Sequence, residues 1–96
     1  MKLVFSAEAQ ADLLRIGDYI AADNPARAVA FVTEIQSKCH HLLEHPLMYP
    51  LAPRHESSGV RRATHGRYLI FYRVNDHDIT IIHIVSGLMD FETLLF

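Results

Sequence analysis

Ninety-six residues, 50% apolar and 21% charged, suffice for one small folded domain spanning residues 1–96 and argue against disorder. A net charge of −2 excludes reading the chain as a bulk polycation for nucleic acid. A single cysteine, Cys39, excludes an intramolecular disulfide, and no run approaches the roughly twenty apolar residues of a membrane span. Met1-Lys2 is followed by only three apolar residues before Ser6, so no secretory signal is expected and the location is read as cytoplasmic.

In chain order, residues 2–5 form a short apolar run suited to an edge strand. Ser6 fits an N-cap, with Glu8 favoured in the first turn by the helix dipole. Ala9, Leu13, Ile16 and Ile20 then recur at helical spacing, which leaves Asp12, Arg15 and Asp18 outside. Asp23-Asn24-Pro25 ends this helix and starts another, because proline disfavours helix for the residue before it yet suits the first helical position. The second helix runs to about Glu44 with the stripe Ala28, Val32, Ile35, Cys39 and Leu42. A break this short makes the two an antiparallel hairpin.

Residues 45–58 carry Pro46, Pro50 and Pro53 and read as an irregular, extended connection in which Tyr49 and Leu51 pack over a sheet edge. Residues 59–87 then read as three strands, with turns at His65-Gly66 and at 75–78. Strict alternation puts Tyr68, Ile70, Tyr72 and Val74 on one face, and Leu69 and Phe71 with Arg67 and Arg73 on the other. In the last strand it sets Ile79, Ile81 and Val85 against Ile82 and Ile84. The sheet is therefore apolar on both faces. The tail from Asp90 suits one or two helical turns with Asp90 as N-cap. The fold class is α+β, β-α-α-β-β-β: a helical hairpin on a small, mainly antiparallel sheet, followed by a short C-terminal helical turn.

Charge is distributed unevenly along this plan. Residues 54–73 hold five arginines against Glu56 alone, whereas residues 74–96 hold four acids and no Lys or Arg. Arg61, Arg62, Arg67 and Arg73 are expected to form a basic patch rimming an apolar surface of Leu69, Phe71, Ile82, Ile84, Phe91 and Leu95. Arginines without acids opposite suit a partner's carboxylates or phosphates. The hairpin can cover only one face, so the second is expected to stay incompletely shielded and to receive a partner segment.

Catalytic signals are weak. No Gly-rich phosphate loop, Ser-His-Asp order or dinucleotide fingerprint occurs. His41 and His45 stand four apart, but lack a convincing third ligand, so no metal or cofactor is expected. Cys39 falls in an apolar stripe and reads as a small buried hydrophobe. His65 reads as a turn residue and His83 as a hydrogen-bonded core residue rather than a general base.

The order of these pieces resembles the ParE branch of the RelE/ParE superfamily of type II toxins. The resemblance runs from about Val4 to Leu95. It rests on Ala11-Asp12-Leu13 with Ile16, Tyr19-Ile20-Ala21, Asn24-Pro25-Ala26 with Ala28, Phe31, Val32 and Ile35, then Leu43 and Pro46. It continues through Gly59-Val60-Arg61-Arg62, the strand from Tyr68 to Val74, and Ile79 to Val85, closing with Gly87 and Asp90. It departs at Ser86 and Met89, where many relatives carry histidine and arginine.

The resemblance implies a non-enzymatic toxin that acts on DNA gyrase and blocks replication. It further implies a hetero-oligomer with a ParD-like antitoxin, a ribbon-helix-helix protein whose C-terminal segment wraps the toxin, with no membrane contact and no direct nucleic-acid binding by the toxin alone. Two alternatives stand beside it: a RelE-like ribosome-dependent mRNA endoribonuclease, and a non-toxic member that only binds the antitoxin. Against the nuclease, no lysine follows Lys38, and residues 86–90 hold no histidine, arginine or tyrosine to assist phosphoryl transfer.

Overall fold

In the computed structural model, which describes residues 1–96, strand β1 (Lys2–Phe5) leads into helices α1 (Ala7–Ala21) and α2 (Pro25–His41). The meander β2 (Val60–His65), β3 (Tyr68–Val74) and β4 (Asp78–Ser86) follows, and α3 (Phe91–Leu95) closes the chain. Both long helices start where polar side chains satisfy their free N–H groups. Ser6 Oγ accepts from the Ala9 N–H at 2.9 Å, and Asn24 Oδ1 accepts from Arg27 at 3.1 Å, with Pro25 at the first helical position. The second helix ends at His41, short of Glu44. Leu42, Leu43 and Glu44 each donate to the carbonyl three residues back, so the last turn tightens and stops.

The strands form one sheet in the order β1-β4-β3-β2. β1 runs parallel to β4, and the meander pairs are antiparallel. Gly66, at φ 59°, makes the β2–β3 turn that a side chain would strain. Residues 45–58 are not simply extended. They add one bridge, Leu51 to Arg61, to the β2 edge and then coil into a 3-10 turn at Glu56–Ser58.

The hairpin covers one sheet face. Ala9, Ile16, Phe31, Ile35, Cys39 and Leu42 meet Ala63, Ile70, Tyr72, Ile79, Ile81 and Ile84 there. Alternation had assigned Ile84 to the opposite face, and a β-bulge explains the correction. Phe71 pairs with His83 while Tyr72 pairs with Ile81, so Ile82 is an extra residue and the side-chain alternation reverses beyond it. Ile84 therefore turns into the helix-side core and Val85 turns away, beside Phe71.

Asp12 also departs from expectation. It is 4% exposed instead of lying outside, because positions 9, 12 and 16 share the helix face against the sheet. β4 outruns β1, which ends at Phe5, so the edge of β4 beyond Ile81 has no strand beside it. Ser6 Oγ donates to the Ile82 carbonyl at 2.7 Å. Asp12 Oδ2 accepts from the Ile84 N–H at 2.9 Å and from His83 Nδ1 at 2.7 Å, while Arg15 binds its other oxygen at 3.1 Å. The first turns of α1 thus finish the sheet edge with side chains.

Two predictions follow from this core. Asp12→Ala leaves a buried N–H and an imidazole without an acceptor and should cost about 2–3 kcal/mol in urea unfolding, with Asp12→Asn losing less. Burial pushes the Cys39 thiol up to about 12, with a small opposing pull from Lys38. The folded chain keeps a proton there that the unfolded chain loses above roughly pH 8.5. That contribution to stability is intact at neutral pH and fades as pH rises toward 12. A thiol reagent at pH 8 should accordingly label Cys39 only at the rate of unfolding.

Candidate functional site

The second sheet face is not the open surface that its composition suggests. Ala52, Val60, Phe71 and Val85 are buried there under Leu69, Ile82, Phe91 and Leu95. The Phe91 ring lies 5.2 Å from that of Phe71. The tail is held down by polar contacts as well. Glu92 meets His55 and, at 3.5 Å, Arg54, and the Phe96 ring stacks on His55 at 3.7 Å. Of the six residues expected to form an exposed apolar surface, Phe71 is fully buried and Ile84 lies on the other face. Leu69, Ile82, Phe91 and Leu95 are half-buried, packed by the chain's own tail. The physical reason is area: five helical residues capped by Asp90, together with the proline-rich connection, cover the apolar residues that β2, β3 and β4 present on this face.

The basic patch also divides. Arg62 pairs across from Phe71 and Arg73 across from Val60, so these two share the second face. Arg67 stands in the β2–β3 turn, its carbonyl accepting from Gly87 N–H at 2.8 Å. Arg61 pairs across from Tyr72 and points to the helix side, where its guanidinium donates to the Tyr49 carbonyl at 2.7 Å. Its role is to hold the connection. None of the four arginines forms an ion pair, although Arg73 donates to the Ser58 carbonyl at 3.1 Å. Arg67 and Arg73 are exposed.

The open apolar surface lies elsewhere, along the outer seam of the hairpin. A groove of about 890 Å³ runs between α1 and α2, floored by Leu13, Gly17, Ala28 and Val32 and walled by Leu14 and Val29. Leu14 and Val29 are 67% and 69% exposed. A Cβ on Gly17 would sit 3.5 Å from Val32, so the glycine keeps the floor low where the helices approach. Polar groups are confined to the margin, among them Gln10, Asp18 and Gln36. Sequence reasoning passed over this groove because it sought apolar stripes facing the sheet. Leu14 and Val29, bulky apolar residues off those stripes, were the available signal.

Two of the histidines that could act as bases are paired within the fold. His83 is bound to Asp12, and His65 Nε2 to Glu34 at 2.9 Å. Glu34 also binds Arg27 at 2.8 Å, and hydrogen bonds from Arg27 and then His65 hold its carboxyl below the usual carboxylate range. His41 ends α2 and His45 lies beyond it in the turn, so the two do not share a helix face. No three His, Cys, Asp or Glu side chains converge as a metal-holding group, and no helix is long and apolar enough to cross a membrane.

Comparison with known proteins agrees with this architecture. Residues 3–91 match the family model described as ParE toxin of type II toxin-antitoxin system, parDE. Among solved structures, the chain is similar to one from a chromosomal ParDE toxin-antitoxin system of P. aeruginosa, with 27% identity and a TM-score of 0.77 over 90% of this chain and 95% of that one. It also shares its fold with a chain of the RelBE2 toxin-antitoxin complex of Mycobacterium tuberculosis, at 22% identity and a TM-score of 0.65 over 88% of this chain and 95% of that one. A search of curated proteins returns no match. With the helical hairpin, the mixed sheet and nearly the whole length accounted for, the chain belongs to the ParE toxin family of type II toxin-antitoxin systems.

Proposed function

We propose that this protein is the toxin of a type II pair, that it disables DNA gyrase by binding rather than by catalysis, and that a ParD-like antitoxin neutralises it. The observation that carries the reading is the open apolar groove between α1 and α2, on a chain whose residues 3–91 match the ParE family. A groove of this length, apolar on its floor and polar at its margin, suits an amphipathic helix presenting residues at i, i+3, i+4 and i+7. The antitoxin's C-terminal segment is assigned to it, in place of the second sheet face that α3 already covers.

The arginine face is assigned to the target. Arg67 and Arg73 are exposed and without ion pairs, and Arg73 shares a side of the sheet with the half-buried Arg62. Cations left free in this way suit acidic side chains of a protein partner better than they suit the fold's own stability, since exposed pairs contribute only about 0–1 kcal/mol each. The nuclease reading has less support, because the segment after β4 presents Leu88 and Met89 and residues 86–90 hold no histidine, arginine or tyrosine.

Placing the two partners on separate surfaces makes their mutations separable. Leu14→Glu with Val29→Glu should weaken antitoxin binding by about 100-fold or more, because buried charge in an apolar contact has no partner. Cells expressing that variant with antitoxin should stop growing. Arg67→Glu with Arg73→Glu should keep antitoxin affinity and lose toxicity. Calorimetry on the purified pair, alongside growth after induction, reads both. Equal loss of both properties in both variants would defeat the assignment. Purified toxin added to gyrase should trap cleaved DNA and inhibit supercoiling while leaving mRNA intact on translating ribosomes. Cut mRNA with unaffected gyrase would replace this reading with the nuclease one.

A further inference from the structure

Apart from the groove and the arginine face, the surface holds a small cleft at the opposite edge of the sheet from β1. It holds about 240 Å³ and is lined by Ser37, Lys38 and His41 of α2, Met48 and Tyr49 of the connection, and His65 at the end of β2. No acidic residue lines it. Lys38 carries its ammonium over the Tyr49 ring, 5.4 Å from the centroid, and forms no ion pair. The cation is thus positioned by an aromatic face and by packing of its stem, and its charge remains available.

The surrounding groups are fixed rather than mobile. Glu34 holds Nε2 of His65, and the Phe31 ring lies edge-on to the imidazole at 6.0 Å, while Nδ1 has no partner in the chain. Tyr49 is held from behind by Arg61, which donates to its carbonyl, and the connection is pinned again where Tyr72 donates to the Pro46 carbonyl at 2.9 Å. Ser37 and His41 stand four apart on α2 and face the cleft together. The cleft therefore gathers an ammonium, two imidazoles and a hydroxyl, and Glu34, the carboxylate bonded to His65, is also occupied by Arg27.

We infer that this cleft is a phosphate-binding site that takes one phosphoryl group of a nucleotide, either free or at an exposed position of a polynucleotide. The lining is rich in donors and includes no acidic residue. A phosphoryl group presents several acceptor oxygens in a volume that the cleft admits, and a lysine point charge beside imidazole and hydroxyl groups complements it. The site stands apart from the interhelical groove, since α2 presents Ala28, Val29 and Val32 to one and Ser37, Lys38 and His41 to the other. Its occupancy thus does not depend on the antitoxin or gyrase assignment.

The test is titration of the full-length protein, followed by amide and imidazole NMR shifts, with three probes. These are inorganic phosphate, a nucleoside 5′-monophosphate, and a dinucleotide whose only phosphate is a diester. Saturable shifts centred on Ser37, Lys38, His41 and His65 are expected, with affinity in the millimolar range or tighter. Binding of the diester assigns a polynucleotide source, and binding of inorganic phosphate and the 5′-monophosphate alone assigns a free nucleotide. Lys38→Met, which keeps the apolar stem over Tyr49, should weaken binding about tenfold by removing one charge-assisted contact. His65→Gln should also weaken it, and Lys2→Gln at the far edge of the sheet should not. The inference is overturned by an absence of saturable shifts at about 10 mM probe, a concentration that fills any millimolar site. It is equally overturned by shifts that centre on Arg67 and Arg73, or that survive Lys38→Met unchanged.

Discussion

The carboxylate of Asp12 is the constraint on which the rest of the arrangement depends. β4 is nine residues long, but its neighbour β1 supplies only four, so half of a central strand would otherwise present a bare edge to the hairpin. α1 resolves this with two side chains from its first turns, Ser6 on the Ile82 carbonyl and Asp12 on the Ile84 N–H. A buried carboxylate is tolerated because it accepts from a backbone amide, an imidazole and a guanidinium at once. That anchor fixes where α1 lies along the sheet, and α2 follows because the link between them is too short to allow another course.

The same region contains the bulge, and the two features are coupled. Inserting Ile82 as an extra residue brings His83 within reach of Asp12 and turns Ile84 into the core. Without it, the helix side would gain Val85 and lose Ile84, and Asp12 would face a different backbone group. A local irregularity in one strand thus decides both the composition of the main core and the satisfaction of its one buried charge.

Each face of the sheet ends up covered, but by unequal means. The hairpin covers one with two long helices, the tail covers the other with little more than one helical turn and a clasp of Glu92 and Phe96 on His55. Two helices on a four-stranded sheet can turn only part of their apolar surface inward. The remainder, Leu13, Leu14, Val29 and Val32 around Gly17, collects along their outer seam as the groove. The open apolar groove is therefore a by-product of hairpin packing, whereas both sheet faces are covered.

Much of this was legible in the residues alone. The element order, Ser6 and Asp90 as caps, Pro25 at the start of α2, the turn at Gly66 and the burial of Cys39 all rest on local chemistry that acts within a few residues. The family resemblance rested on the same local pieces taken in order, and residues 3–91 match that family. What the tertiary structure alone decided are relations between distant segments. The bulge at Ile82 leaves no mark in a run of isoleucines, so alternation misassigned Ile84 and Val85. Asp12 looks like any surface acid until β4 is laid beside it. The closure of the second face depends on where six C-terminal residues fold back, and the groove on how two helices cross. Periodicity reports which way a side chain points within its own element, but not what another element brings to meet it.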